Sequence, residues 1–247
     1  MKAKGLLNVA CAAWIAAAAC GPRERAADLK APPQRAERQP SVETTALQPV
    51  AARPRIVAFG DSLTAGLGVR PEEAYPARLQ RRVEAAGLNY DVVNAGVSGD
   101  TSAGGLRRLD WALDGEVRVL ILALGANDGL RGLPPDHLRR NLAQMIETAQ
   151  ARGIAVVLAG MEAPPNFGQA YVVEFRQIFP ELAKRYHTPL VPFLLEGVAG
   201  FSSMNQSDGI HPNAEGATLV ADTVWAVLRP VLEKTLPRGR GDGTPGS

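Results

Sequence analysis

Between Arg55 and Arg229 the chain alternates short apolar runs, rich in β-branched residues, with longer stretches whose apolar positions recur every three or four residues. The first kind reads as strands buried on both faces of a sheet, the second as amphipathic helices. Arg55 to Phe59, Tyr90 to Asn94, Val117 to Leu124, Ile154 to Ala159 and the short Leu190-Val191 are the five strands. Between them, Pro71-Glu72-Glu73 opens a helix in which Leu79, Val83 and Ala86 share a face until Gly87 stops it. Leu106, Leu109 and Leu113 mark a second helix. Pro134-Pro135-Asp136 starts a third, with Leu138, Leu142, Met145, Ile146 and Ala149 inward and Gly153 at its close. Val172, Phe175, Phe179, Leu182 and Tyr186 mark a fourth, which Pro180 is expected to kink or divide. Asn213 to Arg229 forms the last, with Ala217, Val220, Val224, Val227 and Leu228 facing the core.

Strands alternating with helices call for an α/β domain of three layers, a parallel sheet with helices on both faces. Five such strands predict the flavodoxin-like order 2-1-3-4-5, whose ligand crevice opens between strands 1 and 3, outside their carboxyl ends. Polar, glycine-punctuated turns follow these strands. Phe59-Gly60-Asp61-Ser62-Leu63-Thr64-Ala65-Gly66 follows strand 1, and Gly125-Ala126-Asn127-Asp128 follows strand 3. Ser62 and Asn127 are therefore expected as neighbours at the mouth of the cleft.

The flanks change character. Lys2 and Lys4 precede an apolar stretch from Leu6 to Ala19 that is short for a membrane span and ends in small residues, as an export signal does. Ala17-Ala18-Ala19-Cys20-Gly21 further resembles a bacterial lipoprotein box, although Ala17 stands where Leu is usual, so Cys20 is the candidate lipidation site and ordinary cleavage near Ala19 the alternative. Both cysteines, Cys11 and Cys20, lie in this segment, which leaves the rest of the chain without a disulfide or thiolate metal site. Gly21 to Pro54 is Pro, Ala, Arg, Glu and Gln with few apolar residues and reads as a disordered tether; Pro237 to Ser247 reads as a disordered tail. The expected organisation is thus a signal over 1–20, a tether over 21–54, one domain over 55–236 and a tail over 237–247. The 247-residue chain has 46% hydrophobic residues and a net charge of +2, enough for a core and without a basic patch that would suggest nucleic acid.

A serine hydroxyl needs a base to become a nucleophile at neutral pH, and only three histidines are available. His137 begins an amphipathic helix and reads as a surface residue; His187 closes a helix, where a cation suits the dipole. His211 lies in Asp208-Gly209-Ile210-His211-Pro212, a turn that leaves strand 5 at the same sheet edge as Ser62. Asp208, three residues earlier across a glycine, is close enough to accept from one ring nitrogen while the other faces the serine. The same stretches also fit helix capping by Asp61 and Ser62, and a solvated Asp208-His211 pair. Acyl transfer places an oxyanion that wants preorganised donors, and the Ser62 and Gly99 N–H groups with the Asn127 amide are available for it.

Gly60-Asp61-Ser62-Leu63, Ser98-Gly99-Asp100-Thr101, Gly125-Ala126-Asn127-Asp128 and Asp208-Gly209-Ile210-His211-Pro212 together resemble the four blocks of the GDSL, or SGNH, hydrolases, from about Arg55 to Arg229. Asn127 to Gly132 and Pro165-Asn166-Phe167-Gly168 are most similar to the bacterial thioesterase I, lysophospholipase and arylesterase branch. The resemblance implies Ser62 as nucleophile, Asp208 and His211 as the rest of a triad, and Gly99 and Asn127 as oxyanion donors. Its third block usually reads Gly-Gly-Asn-Asp, and Ala126 replaces the second glycine here.

The expected activity is two-step hydrolysis of carboxylic esters or thioesters, including aryl esters, acyl thioesters and lysophospholipids, with no metal or organic cofactor. Activity should fall as His211 takes up a proton in acid. The acyl chain is expected against Leu130, Leu133, Pro165, Phe167 and Leu194. The chain should be exported to the periplasm or cell envelope, touching membrane only through a lipid on Cys20. Three other readings remain at this point: an esterase that deacetylates cell-wall polysaccharide, a flavodoxin-like FMN module using Ser62, Thr64 and Gly66 for phosphate, and a tethered envelope protein without catalysis.

Overall fold

The computed structural model describes residues 53–235, so the signal, lipidation and tail expectations, and nearly all of the tether, lie outside the described residues. Five parallel strands form one sheet in the order β2-β1-β3-β4-β5: β1 (Arg55–Gly60), β2 (Asp91–Gly96), β3 (Val117–Ala123), β4 (Ala155–Ala159) and β5 (Leu190–Val191). Ile56 to Phe59 and Val119 to Ala123 are almost wholly buried, which is why they read as uninterrupted apolar runs. Phe59 stands opposite Ala95 on one side and Leu122 on the other, so β1, β2 and β3 end nearly level.

Long helices cover both faces. α2 (Tyr75–Ala85) packs with α7 (Ala214–Thr235) on one, and α3 (Ser102–Ala112), α5 (Pro135–Ala151) and α6 (Gln169–Tyr186) form the other layer. Two short helices, α1 (Ser62–Ala65) and α4 (Ala126–Leu130), start in the turns after β1 and β3.

Three helix boundaries depart from the sequence expectation. Pro71 to Glu73 forms only a 3₁₀ turn, and Ala74 is extended before α2 begins at Tyr75. Pro76 disfavours a helical residue before it but fits the first turn of a helix, so the helix starts afresh there. Pro180 does not divide α6, which runs unbroken to Tyr186. Pro180 and Arg176 face solvent, where water can satisfy the Arg176 carbonyl, while Phe175, Ile178, Phe179 and Leu182 stay in the core and hold the helix together. By the same logic α7 passes Pro230 and ends at Thr235, because Leu228 and Leu232 are both fully buried.

Candidate active site

Strand β1 ends in a turn that only glycine permits: a Cβ on Gly60 would lie 2.1 Å from Thr64 Oγ1 and 2.6 Å from the Ala123 carbonyl. Asp61 then caps α1, its Oδ1 accepting from the Leu63 N–H at 3.0 Å, and Ser62 is the first helical residue. The capping interpretation of this turn therefore holds for Asp61, and Ser62 is left with a free hydroxyl. Its Oγ lies 2.9 Å from His211 Nε2, and His211 Nδ1 lies 2.6 Å from Asp208 Oδ2. Residues 149 positions apart meet at the carboxyl edge of the sheet.

The turn that carries His211 is largely self-contained. Asp208 Oδ1 accepts from the Ile210 and His211 N–H groups at 2.9 and 3.0 Å, leaving Oδ2 for the ring. The His211 ring bond, followed by those two N–H groups, holds the Asp208 carboxyl down to about 2. Its charge persists at any ordinary pH, and it fixes the tautomer in which Nδ1 carries the proton and Nε2 is free to accept one.

Three donors border the same cleft. The Ser62 and Gly99 N–H groups have no protein acceptor among the described residues, and both residues line the cleft with Asn127. Asn127 gives one amide hydrogen to the Asp100 carbonyl at 2.9 Å, and its nitrogen stands 3.4 Å from Asp61 Oδ2. Gly99 has a φ of +82° and its carbonyl accepts from Arg131 Nη2 at 2.8 Å, so its peptide is fixed from the far side. The unusual backbone of the third block is at Gly125, with a φ of +123°, whereas Ala126 begins α4. The methyl of Ala126 therefore leaves the turn unrestricted and adds apolar surface to the cleft.

Buried polar groups brace these loops. Asp61 has no exposed surface, and burial pushes its carboxyl up to about 6 against the opposing pull of the Leu63 N–H, the Asn127 amide and His211. Arg108 donates to Asp100 Oδ2 at 2.6 Å, to the Ala95 carbonyl at 2.8 Å and to the Gly60 carbonyl at 2.7 Å, with its guanidinium 4.0 Å above the Phe59 ring. One side chain thus ties the ends of β1 and β2 to the loop that carries Gly99. Asp128, also buried, accepts from the Ser102 N–H at 2.7 Å and the Ser102 hydroxyl at 2.6 Å, locking α4 to the start of α3. Neither Arg108 nor Ser102 stood out in the sequence, because a helical arginine or serine carries no local signal; Asp61 and Asp128 were visible only as motif neighbours.

A cleft of about 730 Å³ opens beside Ser62, of a size that suits a small ligand. Leu130 and Pro165 line it as expected, together with Leu67, Met161, Ala163, Phe193, Leu195 and Ile210. Leu133, Phe167 and Leu194 do not. Leu194 is fully buried and its N–H donates to the Gly160 carbonyl; the chain turns here after β5, burying Leu194 in the core and leaving Phe193 and Leu195 on the cleft wall. Phe167 packs on Gly132 and on Tyr171, whose hydroxyl donates to the Leu133 carbonyl at 2.8 Å. Both residues belong to the support behind α4. The flavin-module alternative loses its phosphate ligands here: Thr64 is fully buried with its hydroxyl 3.1 Å from that of Tyr75, and Gly66 is the left-handed cap of α1. His137 and His187 are exposed and do not line this cleft, His187 being the left-handed cap of α6.

Comparison with known proteins agrees with this fold. Esterase TesA of Pseudomonas aeruginosa is 44% identical over 183 residues, 74% of this chain and 91% of that protein. The thioesterase 1/protease 1/lysophospholipase L1 of Escherichia coli K12 is 37% identical over 183 residues, covering 74% and 86%. A crystal structure of TesA superposes with a TM-score of 0.69 at 43% identity, over 72% of this chain and 99% of that one. The model of the GDSL-like Lipase/Acylhydrolase family matches residues 58–219, from the middle of β1 into α7. A fold, a sheet order and a set of relatives that coincide in this way leave one conclusion: the chain belongs to the GDSL-like lipase/acylhydrolase, or SGNH, family and is a carboxylic ester hydrolase.

Proposed function

We propose that Ser62, His211 and Asp208 form the catalytic triad of this esterase, and that the substrates are fatty acyl esters or thioesters, lysophospholipids and aryl esters among them. The single observation that carries the reading is the pair of contacts at 2.9 and 2.6 Å linking Ser62 Oγ, the His211 ring and Asp208. His211 Nε2 takes the Ser62 proton as Oγ attacks the carbonyl carbon, then returns it to the departing alcohol or thiol. Water enters by the same route and releases the acid. The negative oxygen that forms in each step is met by the N–H groups of Ser62 and Gly99 and by the Asn127 amide. An apolar cleft of about 730 Å³ favours an acyl chain over the acetyl group of a polysaccharide.

The relatives support this range, since their names are those of an esterase and of a thioesterase and lysophospholipase. Export to the cell envelope, with Cys20 carrying a lipid, completes the reading; the mass of the mature protein tests that part. For the chemistry, nitrophenyl esters of increasing chain length, an acyl-CoA and a lysophospholipid are assayed side by side with wild type and Ser62→Ala. Wild type should hydrolyse medium and long acyl chains faster than acetate. Ser62→Ala should lose all but background activity with an unchanged melting temperature, and retention of the wild-type rate by that variant would refute the assignment.

A further inference from the structure

Ser62 and His211 lie on separate loops, one after β1 and one after β5, and a proton moves between them only at hydrogen-bond distance. Each loop is closed on itself. The Gly66 and Leu67 N–H groups both donate to the Ser62 carbonyl at 3.1 Å, which ties Leu67 to the nucleophile. On the other side the Gln206 N–H donates to the His211 carbonyl at 2.8 Å, and Asn205 pairs with Pro212 in an antiparallel bridge.

Gln206 joins the two loops. Its side-chain nitrogen donates to the Leu67 carbonyl at 2.7 Å and to the Pro212 carbonyl at 3.0 Å, so both amide hydrogens are used, one in each loop. Apart from the Ser62–His211 contact itself, no other hydrogen bond connects residues 61–70 to residues 203–213 among the described residues. Room for this link is provided by Gly68, where a Cβ would stand 2.0 Å from Gln206 Oε1. We propose that Gln206 is a positioning residue that sets the distance between the nucleophile and its base, acting through the Leu67 and Pro212 carbonyls. The proposal rests on the reading of Ser62 and His211 as nucleophile and base. A displacement of about 1 Å between reacting groups can cost on the order of 10² in rate, so one amide in this place has a large effect.

A double-mutant cycle separates positioning from loop stability. Gln206→Met keeps the length of the side chain and removes both donors. In the wild-type background it should lower kcat by about 10- to 100-fold with KM unchanged. In the His211→Ala background it should lower the residual rate no further, because no base is left to position. Melting temperatures are recorded for all four proteins. Gln206→Glu, of the same shape and without N–H donors when ionised, carries the same cycle if the methionine variant does not fold. A wild-type kcat in the Gln206 variant, or an equal fold loss in both backgrounds, overturns the proposal. Ser62→Ala in the same assay keeps the two readings apart: if it retains the wild-type rate the triad itself is wrong, whereas its inactivity beside an unimpaired Gln206→Met refutes only the positioning role.

Discussion

Asp61 is buried one residue before Ser62, and its environment disfavours its ionised form. Its carboxyl titrates near 6 in the folded protein against an ordinary value of 3.8, with desolvation as the leading cause. The folded chain therefore binds that proton more tightly than the unfolded chain, and stability falls as pH rises from about 4 to about 6, by on the order of 2–3 kcal/mol. Asn at this position keeps an oxygen for the Leu63 N–H and carries no charge. The melting temperature of Asp61→Asn, relative to wild type, should accordingly rise between pH 4.5 and pH 7.5; a constant difference would contradict this account. Asp208 works in the opposite sense. Its value is depressed to about 2, so the stability it contributes is complete above about pH 4 and is lost as pH falls towards 2. For Asn127→Ala we expect kcat to drop by about 10²–10³ with little change in KM, since in the proposed mechanism its amide serves a charge that exists only during the reaction. At this scale the residues of the proposed chemistry, which the structure brings to one cleft, were legible in the sequence and their support was not. Ser62, Gly99, Asn127, Asp208 and His211 sit in short motifs after strands, whereas Gln206 and Arg108 act through partners 139 and 48 residues away. Leu194 differs from expectation because the chain turns after β5, and an apolar run in a turn does not show which of its side chains faces the cleft.

Among the elements, α4 has a role out of proportion to its length, for it holds Asn127 at the cleft with five residues. Its anchor is the buried pair Asp128 and Ser102 with the half-buried Asn141, whose amide donates to the Ser102 hydroxyl at 2.9 Å. Asp128→Ala leaves the Ser102 N–H and hydroxyl without their acceptor in a buried place, a loss of about 2–4 kcal/mol. Chemical denaturation should show that loss, and kcat should fall as well, because the same bond aligns Asn127. Ser102→Ala removes only one of the two bonds and should cost less in both measurements. Strand and helix positions followed from the apolar pattern, since burial on both faces and the helical repeat each leave a direct trace. Helix ends did not. Pro180 and Pro230 look like breakers in isolation, and only the solvent exposure of their turns explains why α6 and α7 continue through them.

On the scale of the molecule, the sheet order brings three strand ends together at one edge, and Arg108, Gln206 and Arg131 fasten the loops that leave it. Every residue of the proposed machinery lies between Asp61 and His211. A chain cut to residues 53–236 should therefore fold and retain the kcat and KM of the full chain on soluble esters; a large drop would show that the flanks take part. The five-strand order could be expected from the alternation of elements alone, because parallel crossovers leave few topologies for a chain of this length. The depth of the cleft could not, since it depends on the segments after all five strands meeting side by side. The turn from Asn205 to Pro212 holds the proposed base and orienting acid in eight residues, closed at its root by a two-residue bridge. Two of the three proposed triad members thus form one short, internally hydrogen-bonded cassette. Beyond the placing of the oxyanion donors, the proposed proton transfer therefore hinges on one separation, that between this cassette and the first turn of α1.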